Sequence, residues 1–497
     1  MNKQIRRLAV GLLVCYAALF VQLNVLQVGR QEALNANPLN NRQSLRDFNR
    51  PRGPIITADG VVIARSVPTT GSDQFKYQRE YPTNDLFGSV SGYYTFSFGS
   101  TQLERTQNDV LMGDTDEQRV RAITDILGGG DNTGSVVLSL RDDVQRVAAE
   151  ALGDREGSVV VMDPNTGAIL AMVSNPRYDP NLVAVHNTKL AEDVLAYLNN
   201  YPGKPLLANA YQERYMPGSS FKVITTGISL ENGIISLDRQ FDVETQFVPP
   251  QTTDPIQNFG GSACGGSMIE VFYRSCNIPF ARMALELGPD RMVAGTQQWG
   301  IGEKLPIDLP GAAASFFGDV AYFEDNLPLL AIGGFGQGSD AMVPLHMAMV
   351  ASTVATGGEM MKPYVVAATL DHKQGVLHST APSVWKNPIT SATADTLTTL
   401  MIGVVNQGTG RAMQLSPAPD GRPIQAAAKT GTAQLNVTGP ERSNAWIIGF
   451  APAEAPRYAI AVILKGGPDD EISASTGGKL AGPIAKTVLD HLFATET

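Results

Sequence analysis

The sequence is poor in cysteine and histidine, the side chains that most often build metal sites and catalytic dyads. Its 497 residues include three cysteines and five histidines, without a CxxC pair or a Cys/His cluster. A zinc site is therefore not expected, and no cofactor is predicted. A Ser-His-Asp hydrolase has no support either, because there is no GxSxG nucleophile elbow. The histidines stand singly at His186, His346, His372, His378 and His491.

Charged residues are also scarce. They make up 17% of the chain, below the usual quarter of a soluble domain. The net charge is −10, and no basic domain or stripe offsets it, so nucleic acid is not expected as a partner. The apolar fraction of 43% is enough for a large core, and the length leaves room for two or three domains.

One long uncharged run extends from Leu8 to Gly29, after a short basic segment. About 20 apolar residues suffice to cross a bilayer as a helix. A cleaved signal peptide is the alternative, but no small-x-small site follows the apolar core. A lipoprotein box ending at Cys15 is also disfavoured, because Val14 stands where a small residue is needed. The run predicts a membrane anchor at residues 8–29, with residues 1–7 cytoplasmic and the body extracytoplasmic.

Residues 30–134 are predicted to form a small β-rich domain next to the membrane. Ile55–Ala64 has the pattern of a β-hairpin around Asp-Gly. Gly92–Tyr94 and Thr101–Glu104 also have a strand-like composition. No catalytic constellation occurs here, which favours a pedestal, docking or dimerisation-like module.

Residues 135–497 are predicted to form a larger domain. Strand-like runs on both sides of Asn165-Thr166-Gly167 indicate a hairpin, and helical patterns then dominate to about Leu287. Strands near both ends of a helical middle predict an α+β fold with an antiparallel sheet flanked by helices. The predicted strands are 136–140, 158–163, 168–174, 444–450 and 458–464, with helices opening at Arg141 and spanning 483–493.

One junction between a loop and a helix carries the first chemical signal. In Tyr215–Lys222, Pro-Gly is followed by serines where the first helical turn needs capping. Ser219 and Lys222 stand three apart and share one helix face, so the amine can activate the hydroxyl as a nucleophile. The pattern alone is weak, because an N-capping serine with a surface lysine looks the same. A second copy, Ser383–Lys386, lies between prolines and is predicted to be an inert loop.

Two further motifs raise the weight of the first. Ser275-Cys276-Asn277 is the only Ser-x-Asn in the chain, and Lys429-Thr430-Gly431 is the only Lys-Thr-Gly. The latter follows the strand-like run Ile424–Ala428 and continues with Thr432. In the order SxxK, SxN, KTG, the three motifs are the signature of penicillin-recognising serine acyltransferases.

The chain resembles the class B penicillin-binding proteins over nearly its whole length. The short spacer between the predicted anchor and the larger domain, residues 30–134, is most similar to that of the actinobacterial enzymes of cell division and elongation. His346 stands where the family commonly has Gln. The resembling segments are Arg52–Ile56 with Asp59-Gly60 (the Arg-Gly box), Asp163–Met172 and Tyr178–Asn181 (the start of the transpeptidase domain), Gly336–Gly338, and Pro344–Ala348.

The resemblance implies a peptidoglycan D,D-transpeptidase of the bacterial cell membrane. Ser219 would attack the D-alanyl-D-alanine carbonyl of a stem peptide, with Lys222 as general base. Ser275 would pass a proton to the leaving D-alanine, and Asn277 would hold the donor amide. An amine of a neighbouring stem peptide would then form the cross-link, and β-lactams would acylate the same serine.

The KTG strand is implied to bind substrate. The backbone N–H groups of Ser219 and Thr432 would form the oxyanion hole. Lys429 and the hydroxyls of Thr430 and Thr432 suit a terminal carboxylate. Gly431 would leave room for the substrate backbone.

The three cysteines divide between two environments. Cys264 and Cys276 would face an oxidising exterior, whereas Cys15 would lie in the membrane. We predict a Cys264–Cys276 disulfide that braces the active-site loop, with two buried thiols as the alternative.

Other functions share these motifs. A D,D-carboxypeptidase or a β-lactamase would have all three, and a non-catalytic penicillin-binding scaffold or receptor is the alternative from another class. The anchor, the spacer and the long domain favour the transferase. The resemblance also implies a polytopic glycosyltransferase as a partner, among other proteins of the division or elongation machinery.

Overall fold

The computed structural model of the chain describes residues 3–25, 42–71, 73–124, 132–435, 442–466 and 476–495. The chain separates into two compact units, the smaller comprising residues 1–51 and 67–78 and the larger residues 52–66 and 79–497.

Helices and strands both occur throughout the described residues, and short 3-10 turns lie at Asn84–Phe87, Pro180–Leu182, Gly218–Phe221, Phe259–Gly261 and Arg411–Met413. The α-helices are α1 (Lys3–Asn24), α2 (Arg42–Asp47), α3 (Gly88–Ser91), α4 (Gln102–Thr106), α5 (Asn108–Met112), α6 (Asp116–Thr124), α7 (Asp142–Leu152), α8 (Thr188–Asn200), α9 (Asn209–Gln212), α10 (Lys222–Glu231), α11 (Met268–Tyr273), α12 (Ile278–Gln298), α13 (Val320–Glu324), α14 (Leu327–Gly333), α15 (Pro344–Ala355), α16 (Ser391–Asn406) and α17 (Gly477–Ala494). The β-strands are β1 (Ile55–Ile56), β2 (Val62–Pro68), β3 (Tyr77–Glu80), β4 (Tyr94–Thr95), β5 (Gly99–Ser100), β6 (Ser135–Leu138), β7 (Gly157–Met162), β8 (Ile169–Asn175), β9 (Gln240–Glu244), β10 (Gln246–Phe247), β11 (Ile256–Gln257), β12 (Cys264–Ser267), β13 (Met360–Met361), β14 (Val366–Leu370), β15 (Val376–Ser379), β16 (Val384–Lys386), β17 (Ala427–Gln434), β18 (Ser443–Ala451) and β19 (Tyr458–Leu464).

Helix α1 belongs to the smaller unit. With 22 residues, the helix is long and apolar enough to cross a membrane. It overlaps the anchor predicted at residues 8–29, of which residues 26–29 lie outside the described residues. The direction of crossing stays a prediction.

A six-stranded sheet with the order β15-β14-β6-β1-β2-β3 joins the spacer to the following domain. β1 and β2 form the predicted hairpin, and β1 also pairs in parallel with β6. The strand-like prediction for Thr101–Glu104 is wrong, because helix α4 occupies this stretch. The helix turns Leu103 and Glu104 into the interior.

Glu104 holds helix α4 in place, since its carboxylate bridges two buried guanidinium groups. It accepts hydrogen bonds from Arg52 Nε at 2.5 Å and from Arg79 Nε at 2.7 Å, and the three residues are 4% exposed or less. Burial alone would raise the pKa of Glu104, but the charges of Arg79 and Arg52 outweigh it and hold the pKa below its usual value. Arg52, from the segment that resembles the Arg-Gly box, is thus part of a buried ion cluster.

A five-stranded antiparallel sheet with the order β17-β18-β19-β7-β8 forms the centre of the larger unit. The hairpin predicted around Asn165-Thr166-Gly167 joins β7 to β8. Every residue of β18 and β19 is buried, and α15 and α17 pack against these strands. The predicted α+β class is confirmed. Among the described strands β17 pairs with β18 alone, so its other edge has no strand partner there.

Some element boundaries differ from the prediction. β17 contains the KTG motif as expected, but it begins at Ala427 and not at Ile424. α17 begins at Gly477 and contains Pro483, which was predicted to be its first residue. The stretch before Leu287 that was predicted to be mainly helical also contains β9 to β12.

His346 lies fully buried in α15. Its Nε2 is 2.8 Å from the Trp299 carbonyl oxygen, and its Nδ1 is 2.8 Å from Ser315 Oγ. Since a carbonyl can only accept, the proton is on Nε2, and Nδ1 accepts from the serine hydroxyl. Burial lowers the pKa of His346 to about 4, so this histidine is held neutral as part of the core.

Candidate active site

Ser219 lies in the 3-10 turn Gly218–Phe221, which leads directly into α10. Gly218 opens the turn with a φ of 55°, and its N–H donates to the Gly336 carbonyl at 2.8 Å. A Cβ at Gly218 would lie 2.4 Å from the carbonyl oxygen of Thr432. Glycine therefore allows the turn to approach β17 this closely, and the half-buried Ser219 sits at their contact.

The serines do not cap the helix, so that part of the prediction is wrong. Pro217 and Phe221 hold the N-cap positions of the turn and of α10, and neither makes a side-chain cap. The Ser220 hydroxyl donates to the Pro217 carbonyl at 2.8 Å. The 3-10 turn thus places Ser219 ahead of the α-helix, whose first residue is Lys222.

Lys222 is completely buried. Its Nζ donates to the Ser275 carbonyl at 2.9 Å, to Asn277 Oδ1 at 2.9 Å and to Ser275 Oγ at 3.3 Å. Burial, and then the positive charge of Lys429, lower the pKa of Lys222 well below its ordinary value. Both effects favour the neutral amine, which can donate to two of these oxygens at a time and has a lone pair that can accept a proton. Within the described residues, no hydrogen bond joins this amine to Ser219 Oγ.

Ser275 is held between the two lysine amines. Its hydroxyl accepts from Lys429 Nζ at 2.9 Å and from Lys222 Nζ at 3.3 Å. Its backbone φ of 62° lies in the left-handed region that residues with a side chain rarely adopt. Strained backbone of this kind is concentrated at functional sites, and here it turns the hydroxyl toward both amines.

Lys429 projects from β17 and is also completely buried. Its Nζ donates to Ser275 Oγ and, at 3.0 Å, to the carbonyl of Thr430. Burial lowers the pKa of Lys429 to about 7, so the charged and neutral forms are balanced near neutral pH. The ring of Phe272 lies 5.7 Å from this amine and stabilises its charged form.

Gly431 allows the strand to meet the nucleophile turn. A Cβ there would lie 2.5 Å from the Pro217 carbonyl oxygen and 3.0 Å from Ser220 N. The turn itself fills the space on this side of Gly431, and the expectation that Gly431 leaves room for the substrate backbone stays a prediction. The same packing brings Ser219 beside Thr432.

The two threonine hydroxyls of the motif both have partners. Thr430 Oγ1 and Thr409 Oγ1 are 2.5 Å apart, and Thr432 Oγ1 accepts from Gly477 N at 3.2 Å. Thr432 is half-buried, whereas Thr430 is 5% exposed. Thr432 is thus the better placed of the two to reach a ligand.

Cys264 and Cys276 form a disulfide in the structure, with their Cα atoms 5.7 Å apart. It links β12 to the Ser-x-Asn motif, and both cysteines are buried. The structure thus contains the bonded pair rather than two thiols. Cys15 is a free cysteine, exposed on α1.

The second SxxK copy is not part of this site. Ser383 precedes strand β16, which pairs with β13, so the segment is an edge strand rather than the predicted loop. Lys386 pairs with the exposed Glu303 at 2.7 Å.

Some residues that build the site carry no pattern in the sequence. The side chain of Asn258 accepts from the backbone N–H of Asn277, and the hydroxyls of Thr409 and Thr430 are hydrogen-bonded. Trp446 Nε1 donates to the Met216 carbonyl at 2.9 Å. Each is an ordinary residue whose role comes from long-range contacts. In the part of the chain that the structure describes, no group of three or more His, Cys, Asp or Glu residues could hold a metal ion.

Comparison with known proteins identifies the family. Residues 157–490 match the penicillin binding protein transpeptidase domain, and residues 52–137 match the penicillin binding protein A dimerisation domain. The peptidoglycan D,D-transpeptidase PbpA of Mycolicibacterium smegmatis is 36% identical, over 98% of both chains. This chain is a class B penicillin-binding protein. The resemblance drawn from its three motifs is confirmed.

Other relatives of this class B penicillin-binding protein agree. PbpA of Mycobacterium tuberculosis, also named a peptidoglycan D,D-transpeptidase, is 34% identical over the full length of both chains. The ceftriaxone acyl-enzyme structure of M. tuberculosis penicillin-binding protein A matches with a TM-score of 0.82 and 32% identity, covering 91% of this chain and 100% of that one. The similarity to actinobacterial enzymes that was predicted from the short spacer is confirmed as well.

Proposed function

We propose that this penicillin-binding protein is a peptidoglycan D,D-transpeptidase that works through an acyl-enzyme on Ser219. The observation that carries the proposal is the convergence of Lys222 and Lys429 on Ser275 Oγ, next to a serine turn that packs against the KTG strand. The full-length similarity to named D,D-transpeptidases supports the same activity.

Acylation follows from the states of the two amines. Neutral Lys222 takes the proton of Ser219 as its oxygen attacks the carbonyl of the penultimate D-alanine. The backbone N–H groups of Ser219 and Thr432 stabilise the oxyanion. Ser275, in contact with both amines, returns a proton to the nitrogen of the leaving D-alanine. The carbonyl carbon is then bonded to Ser219 Oγ, and D-alanine leaves as the free amine.

Donor binding uses the edge of β17 opposite β18. An extended peptide can add to this edge as a further strand, with main-chain hydrogen bonds fixing its register. Charged Lys429 and the hydroxyl of Thr432 are suited to bind the terminal carboxylate. Asn277, whose Oδ1 accepts from Lys222, holds the donor amide. β-Lactams bind as mimics of this donor.

The nucleophile is tested by covalent labelling with a fluorescent penicillin. Ser219→Ala is expected to abolish the labelled band, because Ser219 supplies the nucleophile, whereas Ser275, which contacts both amines, only transfers a proton. Ser383→Ala, in the second SxxK copy, is the matched control and should label like the wild type. Labelling of Ser219→Ala at the wild-type rate would refute the assignment.

Transfer and hydrolysis are distinguished by the acceptor. With a donor peptide and an acceptor amine, we expect a cross-linked product and one D-alanine released per cross-link. Release of D-alanine at the same rate without the amine, and without cross-linked product, would indicate a carboxypeptidase instead.

The setting of the enzyme is part of the same proposal. Residues 1–7 are cytoplasmic, residues 8–29 anchor the chain, residues 30–134 form the pedestal, and residues 135–497 carry out catalysis outside the membrane. A polytopic glycosyltransferase supplies the glycan strands. Crosslinking in cells from exposed pedestal positions tests the partner, and protease accessibility in spheroplasts tests the topology.

A further inference from the structure

The turn that carries Ser275 and Asn277 needs external support. Ser275 has the left-handed φ of 62°, and helix α12 starts immediately after Asn277. The first N–H groups of a helix lack acceptors within the helix. Asn277 holds the N-cap position, yet its side chain makes no cap hydrogen bond. The turn is therefore both strained and short of local partners.

Asn258 supplies the missing acceptor from outside the helix. Its Oδ1 accepts from the N–H groups of Asn277 at 2.8 Å and Ile278 at 3.2 Å. Its Nδ2 donates to the carbonyls of Glu244 at 2.8 Å and Ser262 at 3.1 Å. At 3% exposure, the amide meets its needs entirely with backbone groups and ties three segments together.

The same short segment also holds the Asn277 side chain. Asn277 Nδ2 donates to the carbonyl of Gln257, the neighbour of Asn258, at 3.1 Å. Its Oδ1 is therefore directed toward Lys222 Nζ, 2.9 Å away. The disulfide from Cys264 to Cys276 is a separate link. It fixes the chain at Cys276, but it provides no hydrogen-bond acceptor for the N–H groups of Asn277 and Ile278.

We infer that Asn258 is a positioning residue of the acyl transfer, which sets the Ser275–Asn277 turn against the amine of Lys222. The inference rests on the proposed function. Two acceptors of Lys222 Nζ belong to this turn, namely the Ser275 carbonyl and Asn277 Oδ1, so their positions depend on it. Asn258 thus acts through the acceptors of the general base without touching substrate.

The expected signature is a shift in the pH profile of acylation. Acceptors on Lys222 Nζ stabilise the charged ammonium, so their loss lowers the pKa of Lys222 and makes the base available at lower pH. The charged group that faces this amine from another element is Lys429 on β17, and the rings of Phe280 and Phe335 lie 5.1 and 5.9 Å away. None of these is changed by a substitution at Asn258.

The test measures the second-order rate of acylation by a fluorescent penicillin against pH, with the full chain in detergent. For Asn258→Ala we expect a rate about 10- to 100-fold lower at neutral pH. The acidic limb of its pH profile should shift to lower pH by about one unit, since the loss of a hydrogen bond to a charged group changes the pKa of that group by about this amount. Asn258→Asp still accepts from both N–H groups but cannot donate to the carbonyls of Glu244 and Ser262, so its rate is expected between those of Asn258→Ala and the wild type.

Asn209→Ala is the matched control for a merely structural effect. Asn209 is 4% exposed, accepts from Ser158 Oγ at 2.9 Å and donates to the Asn175 carbonyl at 2.8 Å. It should lower the melting temperature without moving the acidic limb. An unmoved limb in Asn258→Ala would overturn the inference. If that variant does not fold, folded Asn258→Asp with a rate lowered more than about 100-fold would do so.

The two proposals fail in different ways. If Asn258 has no positioning role, wild-type protein still acylates at Ser219 and only the variant profiles change. If the proposed function is wrong, the wild-type protein itself forms no acyl-enzyme at Ser219, which peptide mapping after labelling shows directly.

Discussion

The buried His346 should make the stability of the transpeptidase domain depend on pH in a specific window. The imidazole is completely buried between the Trp299 carbonyl and the Ser315 hydroxyl, and its pKa in the folded protein is about 4. In the unfolded chain the pKa is about 6.5. As pH falls below about 6.5, the unfolded chain gains a proton that the folded protein does not.

The magnitude follows from the difference between these two pKa values. A separation of about 2.5 units, at about 1.4 kcal/mol per unit, gives about 3 kcal/mol. The wild-type protein loses this amount progressively from about pH 6.5 to about pH 4, and the loss stops below the folded pKa. Stability from this residue is therefore fully present at neutral pH and decreases in acid.

His346→Gln isolates the effect from the carboxylates that titrate nearby in pH. A glutamine amide can donate to the Trp299 carbonyl and accept from Ser315, and it does not titrate. Urea unfolding should be followed by tryptophan fluorescence, because the Trp385 ring lies 6.2 Å from His346. The stability difference between wild type and variant should change by about 3 kcal/mol between pH 7 and pH 4. Parallel pH dependences of the two proteins would refute the reasoning.

Three further predictions concern the motif strand and the pedestal. Because the pKa of Lys429 is about 7, the KM for a donor with a free carboxylate should rise as pH increases through 7, and Lys429→Ala should have a high KM without this dependence. Gly431→Ala places a Cβ 2.5 Å from the Pro217 carbonyl oxygen, so acylation should fall about 100-fold; Gly403→Ala, with 3.8 Å to its nearest atom, should acylate normally. Glu104→Gln removes the negative charge that bridges two buried guanidinium groups and should cost about 3–5 kcal/mol in urea unfolding, whereas Glu80→Gln, in an exposed pair with Arg65, should cost less than about 1 kcal/mol. Equal losses in either matched pair would contradict the packing described.

Local patterns predicted the elements that depend on local chemistry. The turn at Asn165-Thr166-Gly167 and the buried runs of β18 and β19 were recognisable, because turn residues and continuous apolar strands leave a direct mark in the sequence. The three motifs were likewise found by residue type and spacing.

Long-range contacts could not be predicted in the same way. Helix α4 was wrongly expected to be a strand. The direction of Glu104 depends on Arg52 and Arg79, which are distant in sequence and which no local pattern connects to it. The Thr409–Thr430 and Asn258–Asn277 hydrogen bonds join residues 21 and 19 positions apart, beyond the span of a local motif. Gly431 was recognised as important, but what fills the space beside it depends on the Ser219 turn.

The distance along the chain between the parts of this site determines when activity can begin. Ser275 Oγ is 53 positions from Lys222 and 154 positions from Lys429. Contacts of such separation form late, since long loops must close first. A newly made chain is therefore expected to have no reactive serine until the domain is folded. Covalent penicillin labelling thus reports native topology as well as catalysis, and its first appearance after synthesis times the folding of the enzyme.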